Sequence, residues 1–248
     1  MSVILVTGGN RGIGAGIVQA LSAATISNAT ILVASRSAAD AHLSTSNTVR
    51  VEGLQLDITQ DASIRAAVDE VARRHGKLDV LINNAGEVLQ PASDDLEDIR
   101  TAWAKNMDCL FTSQVLVTRA FTPLLRKSDN ARVIMMSSAR GSLARNRSLD
   151  LPPSVNWSYD CAKAALNLAL LEFRNQELRS CCPHPRDHIT FWAVGPGHCR
   201  TGFNGFRGFK DPVEGAEVVA RLLRTRRGEI PSGTFWEVEH GNFQQIPW

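Results

Sequence analysis

Val3-Ile4-Leu5-Val6-Thr7-Gly8-Gly9-Asn10-Arg11-Gly12-Ile13-Gly14 stands near the start of the chain and decides the fold. A run of β-branched and apolar residues gives way to glycines, and an apolar helical pattern begins at Ile13, so the stretch reads as strand, turn and helix. Gly8, Gly12 and Gly14 let the backbone turn tightly and come close to a ligand. The N-terminus of the following helix offers free N–H groups and a positive dipole end, which suit a pyrophosphate. A strict Gly-x-Gly-x-x-Gly match from Gly12 fails at Ile17, so the signal lies in the Thr-Gly-x-x-x-Gly-x-Gly spacing and its strand-to-helix setting. An ordinary glycine-rich turn is the alternative.

Working outward, short β-branched runs alternate with helical patterns. Strands are expected at Val3 to Thr7, Thr30 to Ser35, Val49 to Leu56, Leu78 to Asn83, Arg132 to Ser137, Ile189 to Val194 and Thr234 to Glu239. Helices are expected at Ile13 to Ala24, Asp61 to His75, Leu96 to Lys127, Trp157 to Arg179 and Val213 to Arg226, with Pro123 fraying the third. No repeat or linker interrupts this order. The pattern predicts an α/β protein in which residues 1–248 form a single domain, a doubly wound parallel sheet of about seven strands with helices on both faces. Ligands in such sheets bind beyond the carboxyl ends of the strands, where the glycine turn lies.

Composition narrows the class. The chain has 248 residues, 44% hydrophobic and 21% charged, with a net charge of +2. That describes one large globular domain without the field that nucleic acid requires. Val3-Ile4-Leu5-Val6 is too short for a signal segment or a membrane span. Five cysteines, Cys181 and Cys182 adjacent, show no metal-ligand spacing and fit reduced thiols. The expectation is a cytoplasmic protein with no metal, no nucleic acid and no membrane partner.

At the end of the second strand Arg36 stands where an Asp or Glu would bind a ribose 2′-hydroxyl, and Arg11 lies inside the glycine turn. Two guanidinium groups at these turns suit a 2′-phosphate, so the cofactor expected is NADP(H) rather than NAD; solvated surface arginines are the alternative. Farther along, Tyr159, the only tyrosine, precedes Lys163 by four residues. On a helix that spacing puts both on one face, where an ammonium lowers a phenol's pKa and makes it a usable proton donor. Ser138 lies upstream.

Together these residues resemble the short-chain dehydrogenase/reductase family, over nearly the whole chain and in the same order. The resemblance rests on Thr7 to Gly14, Leu56-Asp57-Ile58, Asn83-Asn84-Ala85-Gly86, Lys105-Asn106-Met107, Ser137-Ser138-Ala139-Arg140-Gly141, the Tyr159 to Lys163 segment and Pro196-Gly197-His198-Cys199-Arg200-Thr201. It implies a Rossmann-like fold and a catalytic set of Asn106, Ser138, Tyr159 and Lys163. It further implies that Gly8, Arg11, Gly12, Ile13, Gly14, Arg36, Asp57, Asn83, Ala85, Gly86, Pro196, Gly197 and Thr201, with Tyr159 and Lys163, hold the cofactor. Asp57 would contact adenine, Thr201 the carboxamide and Lys163 the nicotinamide ribose. Asn106 would hold a water on the proton path.

The Thr7 to Gly14 start, Glu214-Gly215-Ala216-Glu217 and the stretch from Gly233-Thr234-Phe235 to Pro247-Trp248 are most similar to the carbonyl reductase and sniffer-like branch. The resemblance therefore implies an NADPH-dependent oxidoreductase that reduces a small-molecule ketone, aldehyde or quinone to an alcohol, with Tyr159 as proton donor. An NADP-binding regulator, or a non-redox cyclase or isomerase on the same fold, is the competing class. Family members associate as homodimers or homotetramers through their long helices, and some carbonyl reductases are monomers; both states stay open. The interval from Ser138 to Tyr159 is longer than the family's common form, and substrate choice does not transfer.

The pocket should be flanked by Ser142 to Asn156 and Gly202 to Lys210, which adjoin the catalytic strand ends. Phe203, Phe206 and Phe209 alternate with Gly205 and Gly208, either as an aromatic lid over a planar substrate or as core packing. Trp157 is expected at the entrance, whereas Trp103, Trp192 and Trp236 are expected to pack. Arg140, Arg145 and Arg147 read as solvated, and His198 as a turn residue.

Overall fold

The computed structural model describes residues 1–24, 28–37, 49–180 and 189–248. Alternate residues of β1 (Ser2–Thr7) go to opposite sides, as a pleated strand requires: Val3 and Leu5 join one buried cluster, Ile4 and Val6 the other. β2 (Ala29–Ser35) and β3 (Val49–Gln55) follow, then β4 (Val80–Asn83), β5 (Arg132–Met136), β6 (Thr190–Gly195), β7 (Thr234–Glu239) and β8 (Asn242–Gln245). They form one eight-stranded sheet in the order β3-β2-β1-β4-β5-β6-β7-β8. Pairing is parallel from β3 through β7 and antiparallel between β7 and β8.

The doubly wound sheet expected from the sequence is present, extended by β8. That strand closes a hairpin whose turn, His240-Gly241, has φ of 50° and 78°, the positive angles a two-residue hairpin turn needs. Gly241 carried that signal.

Helices cover both faces. α2 (Asp61–His75), α4 (Ser113–Leu125) and α6 (Trp157–Arg179) bury Ile64, Val71, Val117, Phe121, Leu166 and Leu170 against one face. α1 (Gly12–Ala24) and α7 (Pro212–Arg224) bury Ile17, Leu21, Val219 and Leu222 against the other. The expected helix from Leu96 to Lys127 is instead α3 (Leu96–Met107), a π-helical turn at Asp108–Thr112, and α4, which runs through Pro123 and stops at Leu125. A short α5 (Leu143–Arg147) follows β5.

At the end of the sheet away from the glycine turn, buried Arg132 donates to the carbonyls of Leu222, Leu223 and Thr225, capping α7, and lies 5.4 Å from the Trp192 ring centroid. Trp192 packs as expected, and Trp236 stacks on Phe243. Cys109, Cys161 and Cys199 are free thiols; Cys181 and Cys182 lie outside the described residues. Among the described residues no helix is long and apolar enough to cross a membrane, and no His, Cys, Asp and Glu cluster could hold a metal.

Candidate active site

The chain runs outward from β1 to β2 and β3, then returns to place β4 on the other side of β1. This reversal opens a crevice at the strand ends, and the glycine turn lies in it. Thr7 holds the crevice's two sides together: its Oγ1 accepts from the backbone N–H of Asn84 and Ala85 at 2.9 and 3.0 Å. The Asn84 amide donates to Thr7 O and Gly8 O. Gly8 and Gly12 have φ of 62° and 55°. A Cβ on Gly14 would lie 2.1 Å from the Gly8 carbonyl oxygen, so the turn closes onto space that only glycine leaves open.

Arg11 and Arg36 are exposed at the two turns where the sequence placed them, and Ile13 packs on the core beneath. Asp57 is half-buried and accepts at Oδ1 from Thr59 N and Thr59 Oγ1 at 3.0 and 2.7 Å, which fixes its carboxylate where α2 begins. Ala85 flanks Gly8, and Gly86 abuts Leu110. Buried Pro196 precedes Gly197, whose φ is 82°, and Thr201 Cγ2 lies 3.5 Å from the Cβ position of Gly12. The Pro196 to Thr201 segment thus meets the glycine turn across the crevice. Asn83 is buried: its Nδ2 donates to Thr118 Oγ1 at 2.8 Å, while its Oδ1 has no hydrogen-bond partner.

Ser138 follows β5, and Tyr159 and Lys163 lie one turn apart in α6. The N-cap Asn156 accepts from Tyr159 N at 3.0 Å and so sets where the helix places its first turn. The Ser138 side chain acts on the Tyr159 phenol and favours its ionised form. The Lys163 ammonium donates to Met136 O at 2.7 Å and lies 5.8 Å from the Tyr159 ring centroid.

One expectation is corrected here. Burial raises the Tyr159 pKa above its ordinary value; Ser138 and Arg140 pull it down and Asp160 pushes it up. Lys163 does not hold the phenol down in this arrangement, because desolvation dominates and the ammonium is bonded to a backbone carbonyl. Lys163 is 7% exposed, and burial lowers its own pKa to about 8. Burial likewise raises the Cys109 thiol above its ordinary value.

Asn106 is buried and fully committed. Its Oδ1 accepts from Leu89 N at 2.8 Å, and its Nδ2 donates to Leu89 O at 2.9 Å and Ser158 Oγ at 2.8 Å. Ser158 Oγ in turn donates to Asn156 Oδ1 at 2.6 Å, so Asn106 is wired to the cap of α6. The π turn starts two residues after Asn106. It displaces the hydrogen-bond ladder by one residue, a local irregularity that lets a backbone carbonyl leave the ladder.

A family model described as short chain dehydrogenase matches residues 2–208. The chain belongs to the short-chain dehydrogenase family. A short-chain dehydrogenase/reductase of Aspergillus fumigatus is 32% identical over 258 residues, covering 99% of this chain and 97% of that protein. The NADPH-bound carbonyl reductase from chicken fatty liver superposes with a TM-score of 0.72 at 26% identity, covering 100% of this chain and 98% of its own. The putative carbonyl reductase Sniffer of Caenorhabditis elegans gives 0.72 at 25% identity, with the same coverage. The protein is accordingly an oxidoreductase of the family that uses a nicotinamide cofactor.

In this short-chain dehydrogenase the loops beside Ser138 and Tyr159 differ from their sequence reading. Arg140 is not solvated: it donates to Pro152 O at 2.7 Å and lies 3.9 Å from the Asp160 carboxylate. Arg145 is held by the Glu237 carboxylate. Arg147 is exposed, as read. Trp157 is exposed, but its spacing of two residues from Tyr159 turns it toward another face of α6. Asn84, Asn156 and Ser158 were missed as site residues. Only Asn156 had a legible signal, a capping residue type directly before a helical run.

Proposed function

We propose that this dehydrogenase binds NADPH and reduces a ketone, aldehyde or quinone carbonyl to an alcohol, residues 1–248 acting as a single cytoplasmic domain. The observation that carries the reading is a buried Lys163 whose ammonium lies 5.8 Å from the Tyr159 ring, with Ser138 acting on the phenol, at strand ends that also carry a glycine turn with no room for a side chain at Gly14. The turn fits a pyrophosphate, and Arg11 and Arg36 fit a 2′-phosphate. Asp57 would face the adenine end, while Gly197 and Thr201 would border the nicotinamide.

Bound NADPH would supply a hydride to the carbonyl carbon. The chain's part is to orient the substrate oxygen and control the proton. Ser138 donates a hydrogen bond to the oxygen as negative charge develops there, and Tyr159 passes its phenolic proton to the same oxygen. A phenol kept neutral by burial enters the reaction in the protonated state that reduction needs. Lys163, freed from Met136 O on binding a ribose hydroxyl, would stabilise the phenolate left behind. Asn106 serves the proton path through its backbone carbonyl, since its side chain is committed to Leu89 and Ser158.

The test follows NADPH absorbance with aromatic ketones, quinones and aldehydes, for the wild type and Tyr159→Phe. Turnover that the variant lacks supports the reading; product formation without NADPH oxidation replaces it with non-redox catalysis. Arg36→Asp should shift preference from NADPH toward NADH.

A further inference from the structure

Resting on the carbonyl-reductase reading, we propose that the site selects carbonyl compounds bearing an aromatic ring, and that Phe203 is the residue that recognises the ring. Three phenylalanines occupy the loop after β6, and the structure separates their roles. Phe209 sets its edge against the His198 ring at 5.6 Å, and the Phe206 ring folds back over Gly202. Phe203 alone reaches the catalytic group, meeting the Tyr159 ring edge-on with 5.7 Å between centroids and 62° between planes.

The ring is placed by backbone tied in several directions. Phe203 lies in the short turn Gly202–Asn204. The Asn204 side chain donates to Cys199 O at 2.9 Å, Phe206 N to Thr201 O at 2.8 Å and Arg200 N to Lys210 O at 2.8 Å. Phe203 nevertheless keeps 46% of its surface exposed, so much of it remains available to a ligand.

A carbonyl oxygen accepting from the Tyr159 hydroxyl at about 3 Å places its carbon on the order of 4 Å from that hydroxyl. A substituent directed to the Phe203 side then lies against the phenyl ring. An aromatic substituent can stack there with its orientation defined, which a saturated one of the same size cannot match.

The test compares benzaldehyde with cyclohexanecarbaldehyde as substrates, and benzamide with cyclohexanecarboxamide as unreactive probes whose binding to the NADP+-loaded protein is read by ligand-observed NMR. Wild type, Phe203→Leu and Phe203→Trp are measured, with melting curves to verify folding. The expected result is a lower KM and Kd for the aromatic member of each pair. Phe203→Leu should erode that preference about two- to ten-fold with little change in kcat, and Phe203→Trp should retain it. No aromatic preference in the wild type, or one that survives Phe203→Leu, overturns the proposal. A Phe203-dependent preference for benzamide with no aldehyde turnover supports the ring site and overturns the reductase reading instead. Neither turnover nor preference overturns both.

Discussion

Arg145 grips Glu237 with both terminal nitrogens, Nη1 to Oε2 at 3.0 Å, across 92 residues of sequence. Glu237 is 5% exposed and also accepts from Gln244 Nε2 at 2.8 Å. Two further bonds run parallel, from Ser142 Oγ to Pro247 O and from Ala144 N to Trp248 O. The segment after Ser138 is thereby fastened to the β7–β8 hairpin and the residues beyond it. Arg145→Met leaves a buried carboxylate without its cation and should cost about 3 kcal/mol of unfolding free energy. Arg145→Met combined with Glu237→Gln should recover part of that loss, which urea titration of the three variants will measure.

Gly14→Ala puts a methyl group 2.1 Å from the Gly8 carbonyl oxygen, a backbone atom that cannot swing aside. The turn must open. NADPH affinity, measured by fluorescence titration, should fall at least about 100-fold, with a stability loss of about 1–3 kcal/mol typical of overpacking.

Lys163 has a folded pKa of about 8 against an ordinary 10.5. Between those values the unfolded chain binds a proton that the folded chain does not. The cost of burying the lysine is therefore constant below about pH 8 and is relieved as pH rises toward 10.5. Unfolding free energy of the cofactor-free wild type should rise relative to Lys163→Met by about 1 kcal/mol per pH unit in that window. Tyr159, raised above its ordinary value, works in the opposite direction above pH 10 and the raised Cys109 and Cys199 thiols do so above about pH 9, so the difference from Lys163→Met between pH 8 and 9 isolates the lysine.

Asn106→Ala orphans Leu89 N and Leu89 O and removes the donor to Ser158 Oγ. Stability should fall by about 2–3 kcal/mol, because buried backbone groups lose their partners. Through Ser158 and Asn156 the change reaches the start of α6, so kcat should drop at least about tenfold while NADPH affinity stays near wild type. Steady-state kinetics beside cofactor titration will separate the two.

Much of this molecule is legible from short windows of sequence. The β-branched run Val3 to Val6, the glycines that follow and the four-residue spacing of Tyr159 and Lys163 are local patterns, and local sterics dictate strand, turn and helix face within a few residues. Alternation of those units then implied a parallel sheet with its crevice at the glycine turn. The π turn after Asn106 escaped, because one extra residue in a ladder leaves helical periodicity almost unchanged.

What the tertiary structure alone decided are the relations between separate elements. Arg145 reads as a solvated loop residue until β7 brings Glu237 beside it, and Phe203 has no assigned partner until its loop closes onto α6. Spacing alone makes Lys163 the agent that lowers the Tyr159 pKa; in the folded chain burial raises it while the lysine bonds Met136 O. Helix spacing determines which residues share a face, but desolvation and the choice of hydrogen-bond partner depend on every element packed against that face.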